Sequence, residues 1–349
     1  MRKWLLVGLV AVVALTLVGA GLRWWQDIRA SSFDRAVSLA PKGAQRLTFT
    51  DWAAVRRTLD ADVDLESSTS EVEDFLADAF EADLSPMSAL LESTPAMHEN
   101  YGFSPATLDW ELLSQGADGA AVLMQLPEGT DFDALADGFE ELGYGRPEEQ
   151  TGVWDGGIDL LPSIGTLTPE LQYLAIDADQ RLVVASDTDS YLAQAMETVT
   201  GDADPVEGLE GVTGASGDPV AAAVYDGEVA CGSLAMASAD APDQDQAEQL
   251  IVAAGPVNPM TGFAMAVQPG GGVLVAMSFD TEEQARANAD SRAVLASGPA
   301  PGQGGDFADR FELGRVSAEG EVVTMALDPR EGEYLLSDLT SGPVLFATC

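Results

Sequence analysis

The stretch LQYLAIDADQRLVVASDTDSYLAQAM, residues 171–196, decides the fold. Its two apolar runs flank DADQ (177–180), a polar cluster typical of a tight turn, which predicts a β-hairpin. The segment that follows, DSYLAQAMETV (189–199), has apolar residues at helical spacing and ends before Gly201. The chain therefore contains a hairpin that leads directly into a helix.

The same order of elements extends outward from this stretch and recurs later in the chain. The strand GAAVLMQL (119–126) and the helix DFDALADGFEELG (131–143) precede the first hairpin. The second copy consists of the strand GGVLVAMSF (271–279), the helix TEEQARANADSRAVLASG (281–298), the hairpin DRFELGRVSAEGEVVTMAL (309–327) and the helix PREGEYLLSDLTSG (329–342). Tyr191 and Tyr334 occupy matching places in the last helix of each copy. The pattern predicts an internal duplication of a strand–helix–hairpin–helix unit.

Helices interleaved with hairpins indicate an α+β fold. We expect a mostly antiparallel sheet with helices on one face, preceded by one N-terminal transmembrane helix. The Ser-Pro start and Gly116 stop of SPATLDWELLSQG (104–116) predict one more helix there. The expected divisions are a cytoplasmic tip (1–3), an anchor (4–22), a juxtamembrane stalk (23–44), a first half (45–215) with a helical insert (51–115), and a second half (216–349).

The N-terminal segment indicates export. Residues 4–22 carry no charge, and as a helix they would span about 28 Å, close to the thickness of a bilayer core. Arg23, Trp24 and Trp25 follow, as a cation and aromatic belt would at the membrane interface. A retained single-pass anchor with an extracytoplasmic C-terminal domain is the favoured interpretation. A signal peptide cleaved after the small residues around Gly19 is the alternative.

The charge of the chain excludes some partners. Acidic residues number 58 against 16 basic ones, which gives a formal net charge of −42. Such a surface repels nucleic acid phosphates and anionic lipid headgroups. The acidity is typical of a solvated shell, and a surface that collects cations is the alternative.

The chain has two cysteines, Cys231 and Cys349. Cys231 lies in the run GEVACGSLAMA, which has the composition of a strand. An exported chain with two cysteines commonly pairs them. We therefore predict a disulfide between Cys231 and Cys349, with two unrelated thiols as the alternative.

The segment DADVDLESSTSE (60–71) resembles a calcium loop of the EF-hand type. Oxygen-bearing side chains fall at loop positions 1, 3, 5, 9 and 12, where such a loop needs ligands. They belong to Asp60, Asp62, Asp64, Ser68 and Glu71. However, position 6 is Leu65 instead of the usual glycine. Ser68 and Glu71 also form a helix capping box, so the alternative is an acidic connection without metal. Calcium is the candidate cofactor on the first interpretation, and no cofactor is expected on the second.

Catalytic motifs are scarce. His98 is the one histidine, and a histidine-dependent triad would have to be built around it; a structural or surface role is favoured. The chain has no G-x-S-x-G elbow and no His/Cys cluster for zinc. With so many acidic residues, a catalytic pair of carboxylates of the glycosidase type is not excluded.

A resemblance follows from three segments together with the N-terminal apolar run. RLTFTDWAAVRR (46–57), YGFSPATLDWELLSQG (101–116) and LVVASDTDSYLAQAM (182–196) resemble segments of uncharacterised exported or membrane-anchored proteins of actinobacteria. The repeated unit is similar to a domain of unknown function in bacterial surface proteins. The resemblance covers most of the chain and implies no activity.

These observations favour a membrane-anchored extracytoplasmic module that binds a partner without catalysis. The expected partners are the lipid bilayer, through residues 4–22, and an envelope protein or glycan, but no nucleic acid. The alternative is a carboxylate- or calcium-dependent envelope hydrolase.

Overall fold

The fold is centred on one antiparallel sheet. A computed structural model describes residues 31–149 and 151–349, and its described strands form a single eleven-stranded sheet in the order β10-β11-β9-β8-β7-β1-β2-β3-β6-β5-β4. The strands are β1 Ala44–Thr50, β2 Trp110–Gly116, β3 Gly119–Gln125, β4 Trp154–Asp155, β5 Tyr173–Asp177, β6 Leu182–Ser186, β7 Ala221–Asp226, β8 Gly262–Val267, β9 Val273–Ser278, β10 Phe311–Glu319 and β11 Val322–Pro329.

The two halves of the chain meet at the middle of this sheet. Strand β1 pairs antiparallel with β7, from Arg46↔Tyr225 to Thr50↔Ala221. On its other edge β1 pairs with β2. The sheet therefore continues without a break from one half of the chain into the other.

Thirteen α-helices lie in the described residues. They are α1 Ser32–Val37, α2 Trp52–Leu59, α3 Thr69–Glu81, α4 Thr94–Asn100, α5 Phe132–Leu142, α6 Gly157–Ile164, α7 Asp189–Val199, α8 Glu210–Ala215, α9 Gly227–Val229, α10 Ala241–Ala254, α11 Glu282–Leu295, α12 Phe307–Arg310 and α13 Leu335–Thr340.

Helices cover both faces of the sheet, so the predicted placement on one face is wrong. Alternate residues of a central strand enter different cores: Ala222 and Val224 of β7 join one, and Ala221 and Ala223 of β7 join the other. Helices α1, α7 and α8 pack on the first face, which we call the α7 face. Most other helices, including α2, α3, α5 and α11, pack on the second, the α5 face. The central strands read as continuous apolar runs, which is the pattern of strands buried on both faces.

The predicted duplicated unit differs at its last helix. The two copies share their strand pairing, because the last strand of each hairpin pairs with the first strand of its copy: β6 pairs with β3, and β11 pairs with β9. Helix α7, however, buries Tyr191 on the α7 face, whereas α13 packs on the α5 face. Tyr334 precedes α13 as its N-cap and is 37% exposed. The two tyrosines do not hold equivalent places.

Two other element predictions are wrong. Residues 110–116 form strand β2 instead of a helix. Cys231 lies in a helical turn, Ala230–Leu234, instead of a strand. In β2 both faces are buried, so the alternation of a half-exposed strand is absent from the sequence.

The predicted transmembrane helix, residues 4–22, lies outside the described residues, as do Arg23, Trp24 and Trp25. Among the helices of the described chain, none combines the length and the hydropathy that a bilayer crossing demands. The predicted fold class is thus replaced by a single antiparallel sheet with helices on both faces.

The predicted disulfide is confirmed. Cys231 and Cys349 are bonded, with their Cα atoms 5.6 Å apart and 118 residues between them in sequence. The preceding residues of the C-terminal segment, Val344 to Ala347, are buried. The guanidinium of Arg292, itself buried, donates to the carbonyls of Phe346 at 2.6 Å and Thr348 at 2.8 Å. The bond and this arginine together hold the end of the chain in the α5-face core.

We expect the double substitution Cys231→Ser, Cys349→Ser to lower the free energy of unfolding by about 4–5 kcal/mol, since the bond closes a long loop of the unfolded chain. Denaturant titration by circular dichroism measures this loss. Reduction of the wild-type protein should give the same decrease, and equal midpoints for oxidised and reduced protein would contradict the expectation.

Candidate functional site

A cavity in the described residues lies where β1 ends and α2 begins. Its volume is about 830 Å³. We call it the arginine pocket, lined by Ser31, Ser32, Asp34, Arg35, Ser38, Leu39, Asp51, Ala53, Arg57, Asp109, Trp110, Gln125, Gln180 and Arg181. These residues come from five separate segments of the chain, which the central strands bring together.

Helix α2 forms one wall and is fixed at its first turn. Asp51 caps it, because the Asp51 carboxylate accepts the Ala54 N–H at 2.6 Å. The Asp51 N–H in turn donates to the carbonyl of Val220 at 2.8 Å, which ties the start of the helix to the chain just before β7. The position of α2 is thus set by the centre of the sheet.

A buried carboxyl of the neighbouring strand β2 also holds the first residue of this helix. Trp52, the first residue of α2, donates its indole N–H to Glu111 of β2 at 2.9 Å. The other carboxyl oxygen of Glu111 accepts the Ala89 N–H at 2.8 Å. Glu111 has no exposed surface, and burial raises its pKa to about 7, although the hydrogen bonds from Trp52 and Ala89 oppose the rise.

Arginines concentrate around α2. Arg57 is exposed at the pocket wall, while Arg56 next to it turns away and donates to the carbonyls of Ala106 and Leu108 at 2.7 and 2.9 Å. Arg181 donates to the Leu126 carbonyl at 3.1 Å, and Arg35 donates to the Gln180 carbonyl at 3.2 Å. Three arginines, Arg35, Arg57 and Arg181, thus line the cavity together with three aspartates, Asp34, Asp51 and Asp109.

The pocket also contains carboxyls in unusual environments. Burial raises the pKa of Asp51, and the Ala54 N–H and Arg57 only partly oppose the rise. Burial likewise raises the pKa of Asp109, against the attraction of Arg181, whose guanidinium lies 3.6 Å from the Asp109 carboxylate. The negative charge of Asp51 adds to the rise at Asp109. Two interacting carboxyls therefore line the same cavity as the arginines.

One buried acceptor in the pocket lacks a partner. The side-chain amide nitrogen of Gln125 donates to the carbonyls of Gln180 at 3.0 Å and Arg181 at 2.8 Å, which fixes the orientation of the amide. Its oxygen, Oε1, is buried and accepts no hydrogen bond from the described residues. Gln125 is 1% exposed. A buried acceptor left unsatisfied costs free energy.

The chemistry of the pocket is that of a two-ended polar site. Arg57 and Arg181 supply guanidinium groups that suit an anionic group, and the carboxyls of Asp51 and Asp109 supply acceptors that suit an N–H or ammonium group. The pocket can hold both ends of one small zwitterion.

The predicted calcium loop forms the connection between α2 and α3. Asp60 ends α2 in the left-handed conformation, with φ 52°. Asp64 accepts the Glu66 N–H at 3.0 Å, and Ser68 and Glu71 form the capping box of α3. The predicted capping box is therefore present. Residues 31–149 and 151–349 contain no group of three or more His, Cys, Asp or Glu residues placed to hold a metal; calcium at Asp60, Asp62, Asp64, Ser68 and Glu71 stays a prediction.

His98 is half-buried between two segments. One ring nitrogen, Nε2, lies 2.9 Å from the Ser67 carbonyl, and Nδ1 lies 3.3 Å from the Ser104 hydroxyl. Both nitrogens are engaged in contacts that connect the α2–α3 loop to the segment before β2. This arrangement agrees with the structural role favoured from the sequence.

Sequence reasoning missed the arginine pocket. Its residues are far apart in the chain, and their convergence depends on the strand order, which no local pattern indicates. The sequence offered one signal. Arg56 and Arg57 are adjacent cations in a chain that has few basic residues, with Lys3 and Lys42 as its only lysines.

Comparison with known proteins adds little to this site. No family model matches the chain, and no curated protein matches it. A solved structure, that of TP0453 in its crystal form I, is similar over 89% of this chain and 98% of that chain, with 9% sequence identity and a TM-score of 0.37. A similarity this low supports no argument about fold or function.

We expect the buried Glu111 to make stability depend on pH. A carboxyl whose pKa is higher in the folded protein contributes stability below its unfolded pKa and loses it as pH rises toward the folded value. With a folded pKa of about 7, the loss falls between about pH 4.5 and pH 7 and is on the order of 3 kcal/mol.

The measurement compares unfolding free energies of wild type and Glu111→Gln across this range by urea titration. The glutamine does not titrate, so it removes this contribution while other carboxyls stay. The wild type should lose stability relative to the variant as pH rises, and parallel curves for the two proteins would exclude a raised pKa.

Proposed function

We propose that the protein is an extracytoplasmic binding module whose ligand is a small zwitterion held in the arginine pocket. The observation that carries the proposal is the convergence of Arg57, Arg181 and the two carboxyls of Asp51 and Asp109 on one cavity of about 830 Å³. Ligand cavities of small molecules commonly measure about 300–1,000 Å³. The pocket is therefore large enough for a short peptide.

The disulfide supports placement outside the cytoplasm. Disulfides such as Cys231–Cys349 form and persist in oxidising compartments and are rare in the cytosol. The large acidic excess suits a module that stays soluble on the outer side of a membrane. An envelope partner that carries a peptide with a free amine and a free carboxylate would present the same two groups as a small soluble peptide.

The arrangement of charges favours a zwitterion over a simple anion. Asp109 accompanies Arg181, and Asp51 lies near Arg57, so a ligand with negative charge alone would meet both guanidinium groups and carboxylates. A peptide with a free carboxylate and a free amine offers each group its complement. Loss of water from such a pair on binding is offset by charge-assisted hydrogen bonds.

A carboxylate-dependent hydrolase is the second candidate. It is favoured by one observation: Asp51 and Asp109 line the same cavity, burial raises the pKa of each, and the charge of Asp51 acts on Asp109. Two carboxyls in coupled environments are the usual equipment for acid–base hydrolysis. Turnover of an envelope glycan fragment that is abolished in Asp109→Asn would favour this function over binding.

We expect triglycine to bind with at least tenfold higher affinity to the wild type than to Arg57→Gln, measured by isothermal titration calorimetry. Arg57 is exposed, so its replacement leaves the fold intact. Triglycine amide, which lacks the carboxylate, should bind the wild type at least tenfold more weakly than triglycine.

Arg286→Gln is the matched control, because Arg286 is an exposed arginine of α11 whose partner, Glu282, lies on the same helix. This variant should bind triglycine like the wild type. Absence of triglycine binding, or equal weakening in Arg57→Gln and Arg286→Gln, would refute the proposed site.

A further inference from the structure

A second cavity lies on the other side of α2. It measures about 630 Å³ and is bounded by the α2–α3 loop, the segment around Tyr101 and helix α5. We call it the apolar cleft, lined by Arg56, Val63, Asp64, Leu65, Glu66, Asn100, Tyr101, Gly102, Phe103, Thr107, Leu126, Pro127, Gly129, Thr130, Asp131, Ala134, Leu135 and Gly138. It contains none of the residues that form the arginine pocket.

The floor of the cleft is apolar. Phe103, Leu126 and Leu135 belong to the α5-face core and are buried. The hydroxyl of Tyr101 lies 2.7 Å from that of Tyr144, which donates to a backbone carbonyl. Burial raises the pKa of Tyr101 to about 12, so it stays neutral. The hydroxyl of Tyr101 is thus already paired, and an apolar group is the best match for this floor.

The cleft is formed before any ligand arrives. The loop that makes one wall is held by the contact of His98 Nε2 with the Ser67 carbonyl and by the Thr69 hydroxyl, which donates to Glu99 at 3.0 Å. Leu65 stands at the edge of the cleft with half of its surface exposed, at 51%. A preformed apolar cavity binds at low cost, because few groups must be ordered on binding.

The charges at the mouth select one kind of ligand. Asp64, Glu66 and Asp131 are exposed carboxylates on both sides of the opening. The one cation in the lining, Arg56, already donates to the carbonyls of Ala106 and Leu108. The mouth therefore attracts a positive group and repels a negative one.

We infer that the apolar cleft is a second binding site, for an amphiphile with an aliphatic chain and a cationic head. The chain lies against Phe103, Leu126 and Leu135, and the head stays at the mouth among Asp64, Glu66 and Asp131. This inference is independent of the proposed zwitterion site, since the two cavities share no lining residue.

Gly138 of α5 allows the site to be filled without disturbing the core. It lines the cleft, and a Cβ added there meets no atom within 4 Å. Gly138→Trp would place an indole in the cleft, whereas Gly138→Ala leaves it open and favours the helix by up to about 1 kcal/mol. The alanine variant is thus the matched control.

The experiment titrates decyltrimethylammonium, kept below micelle formation, into wild type, Gly138→Ala and Gly138→Trp by calorimetry. We expect wild type and Gly138→Ala to bind alike and Gly138→Trp to bind at least tenfold more weakly. Decanoate, which has an aliphatic chain of similar length and a negative head, should bind the wild type at least tenfold more weakly than decyltrimethylammonium. Arg57→Gln should leave decyltrimethylammonium binding unchanged.

Three outcomes would overturn the inference. Equal affinity of the Gly138→Ala and Gly138→Trp variants would place the amphiphile elsewhere. Decanoate binding as tightly as decyltrimethylammonium would show that the carboxylates at the mouth do not select the head. Absence of binding by either probe would show that the cleft is not an amphiphile site.

Discussion

The pairing of β1 with β7 is the constraint on which the rest of the structure depends. Five residue pairs, Arg46↔Tyr225 to Thr50↔Ala221, join the two halves of the chain into one sheet. Strand β1 has paired neighbours on both edges and buried residues on both faces. Loss of this pairing would expose the edge of each half-sheet to solvent and open both cores at once.

The arginine pocket follows from this central pairing. The residue after β1 is Asp51, which starts α2, and its N–H is held by the carbonyl just before β7. Strand β2 presents Glu111 to the first residue of the same helix. Strands β3 and β6 bring Gln125 and Arg181 to the same end of the sheet. The site is built on rigid strands, which hold its polar groups in fixed positions.

Part of this structure could be predicted from sequence and part could not. The β5–β6 hairpin, helices α5 and α7 and the cysteine pair have strong local signals or simple chemical logic. Strand β2 was mistaken for a helix because Trp110 and Leu112 enter one core while Leu113 enters the other, so apolar residues fall together without alternation. The side on which a helix packs, as for α7 and α13, is set by connections between strands and has no local signal. The pocket was missed for the same reason.

Adjacent arginines on α2 show how one short helix serves two cavities. Neighbouring residues of an α-helix point about 100° apart, so Arg56 lines the apolar cleft and Arg57 lines the arginine pocket. Arg56 uses its planar group to bond two carbonyls at once, which lysine could not do with the same geometry. That contact fixes the segment before β2 against the helix. Arg57 is exposed at the wall of the arginine pocket, whereas Arg56 supplies the structural contact.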